Sequence, residues 1–330
     1  MNNENQFDFI GIGDTLIDAF IKISVGHTQE TAKGAELCIP YGAKIPFDSV
    51  TVIPGVGNSA NACVSASRLG MKSALVTYLG NDANGQDCID HLAKDGVHTN
   101  FISKQSEFPT NYHYVVWFGD DRTILVKHAE FKSDLPDIGT PKWLYLSSLG
   151  SHTKELHFKI AEYKKAHPEV NLAFQPGTFQ LHLKNELADL YKVTDVVCMN
   201  KEEAEELLDT YTDDMKVLLD KLEAMGPHTV IITDGHQGSY MKYENSYFNM
   251  PIYPDIAPPY ERTGAGDAFF STFISYLAKG YDAPYAIKRA PINSASVVIK
   301  VGAQEGLLTE EQLEDYLKKA PTDYALKILE

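Results

Sequence analysis

From Trp143 onward the chain alternates short apolar runs with longer stretches of helical periodicity: Trp143 to Ser147, His152 to His167, Val170 to Phe174, Leu183 to Tyr191, then Asp195 to Met199. No other feature restricts the fold as strongly. Short runs that are apolar at every position are strands buried on both faces, and helices between such strands serve as crossovers. The pattern therefore predicts an α/β fold with a central parallel sheet flanked by helices. Phe9 to Gly13 reads as a first strand of that sheet. Ser73 to Tyr78, a helix from Asn84 to Lys94 and a short strand near Phe101 extend it.

Two segments break the rhythm. Between Ala19 and Pro54 only Glu36 to Ile39 and Ser49 to Ile53 have strand character, and Tyr41-Gly42 and Ile45-Pro46 interrupt them. Tyr112 to Phe118 alternates, Gly119-Asp120-Asp121 turns, and Thr123 to His128 returns, which makes a hairpin. Together they predict a small projecting β-sheet lid of residues 19–54 and 109–131. Residues 1–18, 55–108 and 132–330 form the catalytic domain. On the hairpin, Tyr112, Tyr114, Val116 and Phe118 share one face, and His113, Val115 and Trp117 the other. Both faces are apolar enough to pack, one on substrate and one on a second subunit, so a homodimer joined through the lids is expected.

The chemistry concentrates in Glu261-Arg262-Thr263-Gly264-Ala265-Gly266-Asp267-Ala268-Phe269-Phe270. The glycines let backbone approach a ligand closely, and the apolar positions that follow recur at helical spacing. A helix start presents unpaired N–H groups and a partial positive charge, which suits a phosphate or a developing oxyanion. Asp267 in that first turn is a carboxylate beside an anion hole made by Gly264, Ala265 and Gly266. Its expected work is to take a proton from a hydroxyl while those amides hold a transferring phosphoryl group. A glycine-rich helix start with an acidic cap is the plainer alternative.

Asp14 and Asp18 follow the first strand. Parallel sheets bind ligands beyond the carboxyl ends of their strands, and two carboxylates there could accept hydrogen bonds from a polyol. A turn cap at Asp14 and a solvated Asp18 would look the same in sequence. Gly11-x-Gly13 suggests a dinucleotide site, but Leu16 stands where the third glycine would be, so the fingerprint fails. Arg122, Lys127 and His128 are a cationic group that could hold a substrate phosphate or simply be solvated hairpin charges.

Lys and Arg number 29 against 45 Asp and Glu, a net charge of −16. Nucleic acid and anionic membranes are therefore poor partners in bulk. Cys38, Cys63, Cys88 and Cys198 are far apart and at no metal-binding spacing, so reduced thiols in a cytoplasmic protein are expected. Met1 to Phe7 is polar and acidic, unlike a signal peptide, and no apolar run is long enough to span a bilayer.

The intact string Thr263-Gly264-Ala265-Gly266-Asp267-Ala268-Phe269 resembles the C-terminal signature of the ribokinase (PfkB) family of carbohydrate and nucleoside kinases. Gly57 and Asn61, leading into Arg68-Leu69-Gly70, resemble its N-terminal signature, with Val56 in place of the first glycine. The resemblance covers nearly the whole chain. It implies a ribokinase-like fold with a β lid and ATP-dependent phosphorylation of an alcohol, with Mg²⁺ on the phosphates. Family members often also use a monovalent cation such as K⁺. Asp18 stands where relatives carry a sugar-contacting Asp, and Gly57 and Asn61 would line the same end. Asn200 and Glu203 resemble an Asn-x-x-Glu motif in which Glu203 acts on Mg²⁺ through water, although they also spell a plain capping pair. Thr233, Gly235 and Gly238 match a stretch that the family sets against nucleotide, as does Thr263. Asn293 and the Gly302-Ala303 turn stand where relatives enclose the base.

The acceptor stays open on sequence alone. A sugar or sugar derivative comes first and a nucleoside second, its ribose 5′-hydroxyl being the acceptor. A sugar phosphate, or a non-catalytic sugar-binding protein, stands behind them.

Overall fold

The computed structural model describes residues 6–31, 34–119, 121–260 and 262–329. Asp120 and Glu261, named above, and the start of the N-terminal stretch lie outside the described residues. A ten-stranded sheet runs, in spatial order, Lys327–Leu329, Ser246–Met250, Ser239–Tyr243, Thr229–Thr233, Val196–Asn200, Asn171–Phe174, Trp143–Leu146, Phe9–Ile12, Ser73–Gly80 and Ile102–Gln105. From Thr229–Thr233 to Ile102–Gln105 every neighbouring pair is parallel, and the pairs at the other edge are antiparallel. The strands Phe9–Ile12, Ser73–Gly80 and Trp143–Leu146 are buried at every position, as uniformly apolar runs require.

Helices cover both faces. On one, Asn58–Arg68 and Ala290–Val297 pack against Ala265–Ala278, whose Phe270, Phe273 and Ile274 are fully buried. On the other, Leu156 and Ile160 of Lys154–Ala166 and Leu218, Leu219 and Leu222 of Met215–Glu223 close the second core layer. Two short helices follow one another here, Ala283–Ile287 and Ala290–Val297. Asp282 caps the first through the Tyr285 amide, and Pro291 fits only the opening turn of the second. The strand Ser246–Met250 was not anticipated. Glu244 and Asn245, with φ of 48° and 62°, form the left-handed turn that pairs it with Ser239–Tyr243.

The lid is a separate four-stranded sheet in the order Ser49–Val56, Leu16–Lys22, Tyr112–Phe118, Asp121–Leu125. Its first strand starts at Leu16 and its second ends at Val56, so the lid takes Asp18 from the segment expected to belong to the catalytic domain. His27–Thr31 and Gly34–Cys38 pair only with each other, as an exposed hairpin beyond that sheet. The two faces of Tyr112–Phe118 differ: His113 and Val115 are buried, whereas Tyr114 is exposed beside Val50, Val52 and Leu125. Among the described residues no helix is long and apolar enough to cross a membrane.

Candidate active site

Strand order reverses at Phe9–Ile12. The chain builds outward on one side through Ser73–Gly80 and later returns on the other side as Trp143–Leu146. Such a reversal opens a crevice beyond the carboxyl ends of the strands. The Asp14 amide donates to the Ser148 carbonyl at 3.1 Å across it.

The helix Ala265–Ala278 begins at the edge of this crevice. Its N-cap Gly264 has φ 80°, and a Cβ there would lie 2.4 Å from the Cβ of Ala303. Only glycine meets both demands, so the first-turn amides stay open toward the crevice with no side chain in front of them. Ser294 Oγ fixes that turn by donating to the Ala265 carbonyl at 2.6 Å. The Gly302-Ala303 turn, expected around a base, packs instead on Gly264 and beneath Ile53 of the lid.

Asp267 is only 5% exposed. Asn58 Nδ2 donates to its Oδ1 and Asn61 Nδ2 to its Oδ2, both at 2.8 Å. Gln175 is a further donor, and its Oε1 accepts from the Tyr145 hydroxyl. Burial pushes the carboxyl above the ordinary aspartate range, against the pull of these three amides. Asn61 was expected to grip substrate hydroxyls. Its Nδ2 serves Asp267 and its Oδ1 accepts from Gln304 Nε2 at 2.9 Å, so it holds the carboxylate in place.

Beside the anion hole lies a cavity of about 260 Å³. Thr233, Gly235 and Gly238, expected against nucleotide, line it together with Ala265, Gly266, His236, Ser239, Asp255, Arg262, Phe269, Ser294 and Val298. Asn293 does not reach it. Asn293 is fully buried, donating to Thr272 Oγ1 and Ser65 Oγ and accepting from the Leu308 amide. It ties two helices together, and the neighbouring Ser294 and Ala295 face the cavity. Thr263 immediately precedes Gly264 but is not part of the cavity wall.

Asn200 and Glu203 form a reciprocal capping box: Asn200 Oδ1 accepts from the Glu203 amide, and Glu203 Oε2 accepts from the Asn200 amide. Burial, with Glu202, Asp267 and Glu206 nearby, pushes the Glu203 carboxyl up. A cation at this spot would relieve that strain, so the residues fit a hydrated metal ion.

At the opposite end, Gly57 has φ 130°, and a Cβ there would lie 2.2 Å from the Asp14 carbonyl oxygen, so glycine seats the first helix against the lid root. Asp14 and Asp18 meet there with two histidines that sequence reading had not placed together. His128 Nδ1 lies 3.2 Å from Asp14 Oδ2, and His113 Nδ1 lies 3.8 Å from Asp18 Oδ1. Arg122 stands opposite Trp117 in register, at the far end of the strand that carries His113. Asn58 and Gln304 were also missed. An Asn beside the glycine of the N-terminal signature was the available signal for Asn58.

Comparison with known proteins shows the family and the fold. The family model described as pfkB family carbohydrate kinase matches residues 23–310. The ribokinase of Bacillus subtilis is 27% identical over 289 residues, covering 84% of this chain and 92% of the relative. The 2-dehydro-3-deoxygluconokinase of Thermoproteus tenax is 25% identical over 280 residues, covering 79% and 85%. Among solved structures, the nucleoside kinase of Methanocaldococcus jannaschii superposes with TM-score 0.78 at 21% identity, over 95% of this chain and 99% of that one. The Arabidopsis thaliana ribokinase complexed with ribose and ATP superposes with TM-score 0.77 at 19% identity, again over 95% and 99%. The chain belongs to the pfkB family of carbohydrate kinases, phosphotransferases that use an alcohol group as acceptor.

Proposed function

We propose that the protein transfers the γ-phosphoryl group of ATP to a hydroxyl of a sugar or sugar derivative, with Asp267 as the general base. One observation carries the reading: a buried carboxylate stands at the start of a helix whose first amides face a crevice. The nucleotide-sized cavity lies on one side of it and the Asp14–Asp18 end on the other. The cavity wall of Thr233, Gly235 and Gly238 would take the nucleotide, whose phosphates would run toward Gly264–Gly266. Those amides oppose the charge that gathers on the equatorial oxygens during transfer. Asp267 accepts the acceptor's proton as the oxygen attacks in line. Burial raises its pKa, so its ionised form is a stronger base than a free aspartate. Mg²⁺ carried with the nucleotide would be held by Glu203 through water, and when bound it neutralises phosphate charge.

The lid would close over the acceptor and keep out water, which otherwise competes for the phosphoryl group. Its exposed apolar face, Val50, Val52, Tyr114 and Leu125, supports a homodimer joined lid to lid. The family resemblance adds a monovalent cation such as K⁺ near the anion hole. The four free cysteines support a cytoplasmic location. A nucleoside acceptor is the second reading. The half-buried Phe179 ring, 5.5 Å from that of His128, favours it by offering a face to a base.

Asp267→Asn is the direct test. It should keep the fold and nucleotide affinity while lowering kcat by roughly 10²–10⁴-fold, the range for a lost general base. ADP formation at near wild-type rate would remove Asp267 from the mechanism.

A further inference from the structure

The donors that hold Asp267 do not end at Asn61. They continue through Gln304 to the root of the lid. Three consecutive residues run along that route. Gly302 has φ 78°, and a Cβ there would lie 2.3 Å from Ile53 Cδ1 of the lid. Ala303 closes on the N-cap Gly264, and Gln304, 3% exposed, comes next. Gln304 Nε2 donates to two acceptors, the Gly55 carbonyl and Asn61 Oδ1, both at 2.9 Å. Its Oε1 stands 2.9 Å from Nε2 of His91, which is half-buried on the helix Ala83–Lys94.

Gly55 is the odd residue of the lid strand Ser49–Val56. Val56 pairs with Leu16 and Pro54 with Ile17, so Gly55 bulges out between two consecutive partners, with φ 70°. A bulge bends its strand and re-aims what the bulged residue carries. Here it re-aims a peptide: the Gly55 amide donates to Cys88 Sγ at 3.2 Å, and its carbonyl accepts from Gln304.

These contacts fix the direction of every amide on the route. A backbone carbonyl can only accept, so Gln304 must turn Nε2 toward Gly55 and Oε1 toward His91, whose Nε2 is then the donor. The second Nε2 proton meets Asn61, which must present Oδ1 there and therefore Nδ2 to Asp267. With either amide reversed, oxygen would face oxygen, at Gly55 or at the carboxylate. Both side chains are buried, so water cannot readily repair a reversed link. We infer that Gln304 is a positioning residue for phosphoryl transfer: the bulge at the lid root sets its amide, and that amide makes Asn61 a donor to Asp267. The inference rests on Asp267 being the general base. Gln304 is not part of the nucleotide cavity wall, so its effect must pass through Asn61.

Two substitutions separate this role from space filling. Gln304→Met keeps the length but leaves Asn61 free to turn. It should lower kcat roughly ten- to a hundredfold, the cost of a misplaced catalytic group, and leave KM for ATP unchanged. Gln304→Glu is the closer isostere, yet an ionised carboxylate, which the His91 N–H favours, only accepts. It would draw Asn61 Nδ2 to itself and leave Oδ1 against Asp267, so kcat should fall further than in Gln304→Met. A merely structural residue would rank the two the other way. In both variants the weakened Asn61 donor should raise the Asp267 pKa and move the acid limb of kcat/KM to higher pH. Adding Gln304→Met to Asn61→Ala should cost no more than about twofold beyond Asn61→Ala alone, because the two residues act in series. The carboxyl is also followed directly by carbon-13 NMR of enzyme labelled at aspartate, its resonance identified by its absence from Asp267→Asn. Wild-type kcat and an unmoved carboxyl titration in the folded variants would overturn the inference. So would Gln304→Glu outperforming Gln304→Met, or single effects that multiply in the double variant. A moved carboxyl titration beside an Asp267→Asn enzyme of near wild-type rate would sink the base and keep the positioning.

Discussion

The Asp267 carboxylate, the proposed base, is held by neutral donors, so its acidity can be tuned without replacing it. Asn61→Ala removes the amide 2.8 Å from Oδ2, and Asn58→Ala removes the one 2.8 Å from Oδ1. A hydrogen bond to an ionised group contributes roughly 1.5–3 kcal/mol, and one pKa unit corresponds to about 1.36 kcal/mol. Because Asn61 is 4% exposed, water cannot readily take its place, and its loss should raise the Asp267 pKa by nearly the full weight of that bond. Asn58 is exposed to the crevice, where water can substitute, so its loss should raise the Asp267 pKa less. The donors favour the ionised form, and the base must be ionised to work. The acid limb of kcat/KM therefore moves to higher pH in both variants. The assay is coupled ADP detection at subsaturating acceptor from about pH 5 to about pH 9. Thermal melts give a second reading. Burial raises the folded-state pKa of Asp267, so the group's contribution to stability is full below the unfolded carboxylate range and is lost as pH rises through the folded value. Asn61→Ala widens that loss, so its melting deficit should grow as pH rises above the ordinary carboxylate range. An acid limb unmoved in a folded Asn61→Ala enzyme would show that the carboxamides do not set the acidity of the base.

Gly264→Ala should place a methyl against Ala303 in a left-handed conformation, with about 1–3 kcal/mol of strain, and lower kcat by closing the anion hole; unchanged kinetics would refute that geometry. Arg289 is 5% exposed and grips Glu314 through two bonds of 2.6 and 3.1 Å. Arg289→Ala should cost about 2 kcal/mol, reduced from the fully buried range by the partial exposure of Glu314, and lower Tm by roughly 3 °C. Burial opposes ionisation of Glu314, but the guanidinium outweighs it and holds the carboxyl low. The contribution is thus present above the ordinary carboxylate range and lost as pH falls below it, so the two melting curves should converge on acidification. Sedimentation at micromolar concentration should show a dimer that Leu125→Asp on the outer lid face converts to monomer; a monomeric wild type would remove the lid-to-lid interface.

What could be read from the sequence follows the range over which each signal acts. The buried strands declare themselves because every position is apolar. The anion hole does so because its amides, glycines and carboxylate lie within one turn of each other. The carboxamides on Asp267 come from residues 209 and 206 positions away, and no local pattern announces such a pairing. Asn293 shows the limit of a position without a phase. One residue is about 100° of helix, enough to turn Asn293 into the core and Ser294 to the cavity. The start of the lid was obscured because Leu16, Ile17, Ala19, Phe20 and Ile21 are apolar on both faces of one strand. The hairpin of His27–Thr31 and Gly34–Cys38 was obscured for the opposite reason, being largely exposed with little apolar alternation to read.

The division of labour on the lid depends on strand register. With a side-chain period of two, Asp18, Phe20 and Lys22 share the inner face only while Asp18 stays opposite His113 and Ile53. A slip of one residue would point Ile17, Ala19 and Ile21 into the crevice and turn the carboxylate to solvent. The register is held at one end by the Ile17 amide, which donates to the Asn111 carbonyl at 3.0 Å, and at the other by the Ile23 amide on the Trp117 carbonyl at 2.9 Å. The anion hole sits on a different element, the helix Ala265–Ala278, and is braced by Ala303 and Ser294. On the proposed function, acceptor recognition would fall to the lid and phosphoryl transfer to this helix, parts whose side chains can vary separately. Changes confined to residues 14–18, 113 and 128 should alter which hydroxyl compound is accepted while the nucleotide wall and Asp267 stay as they are.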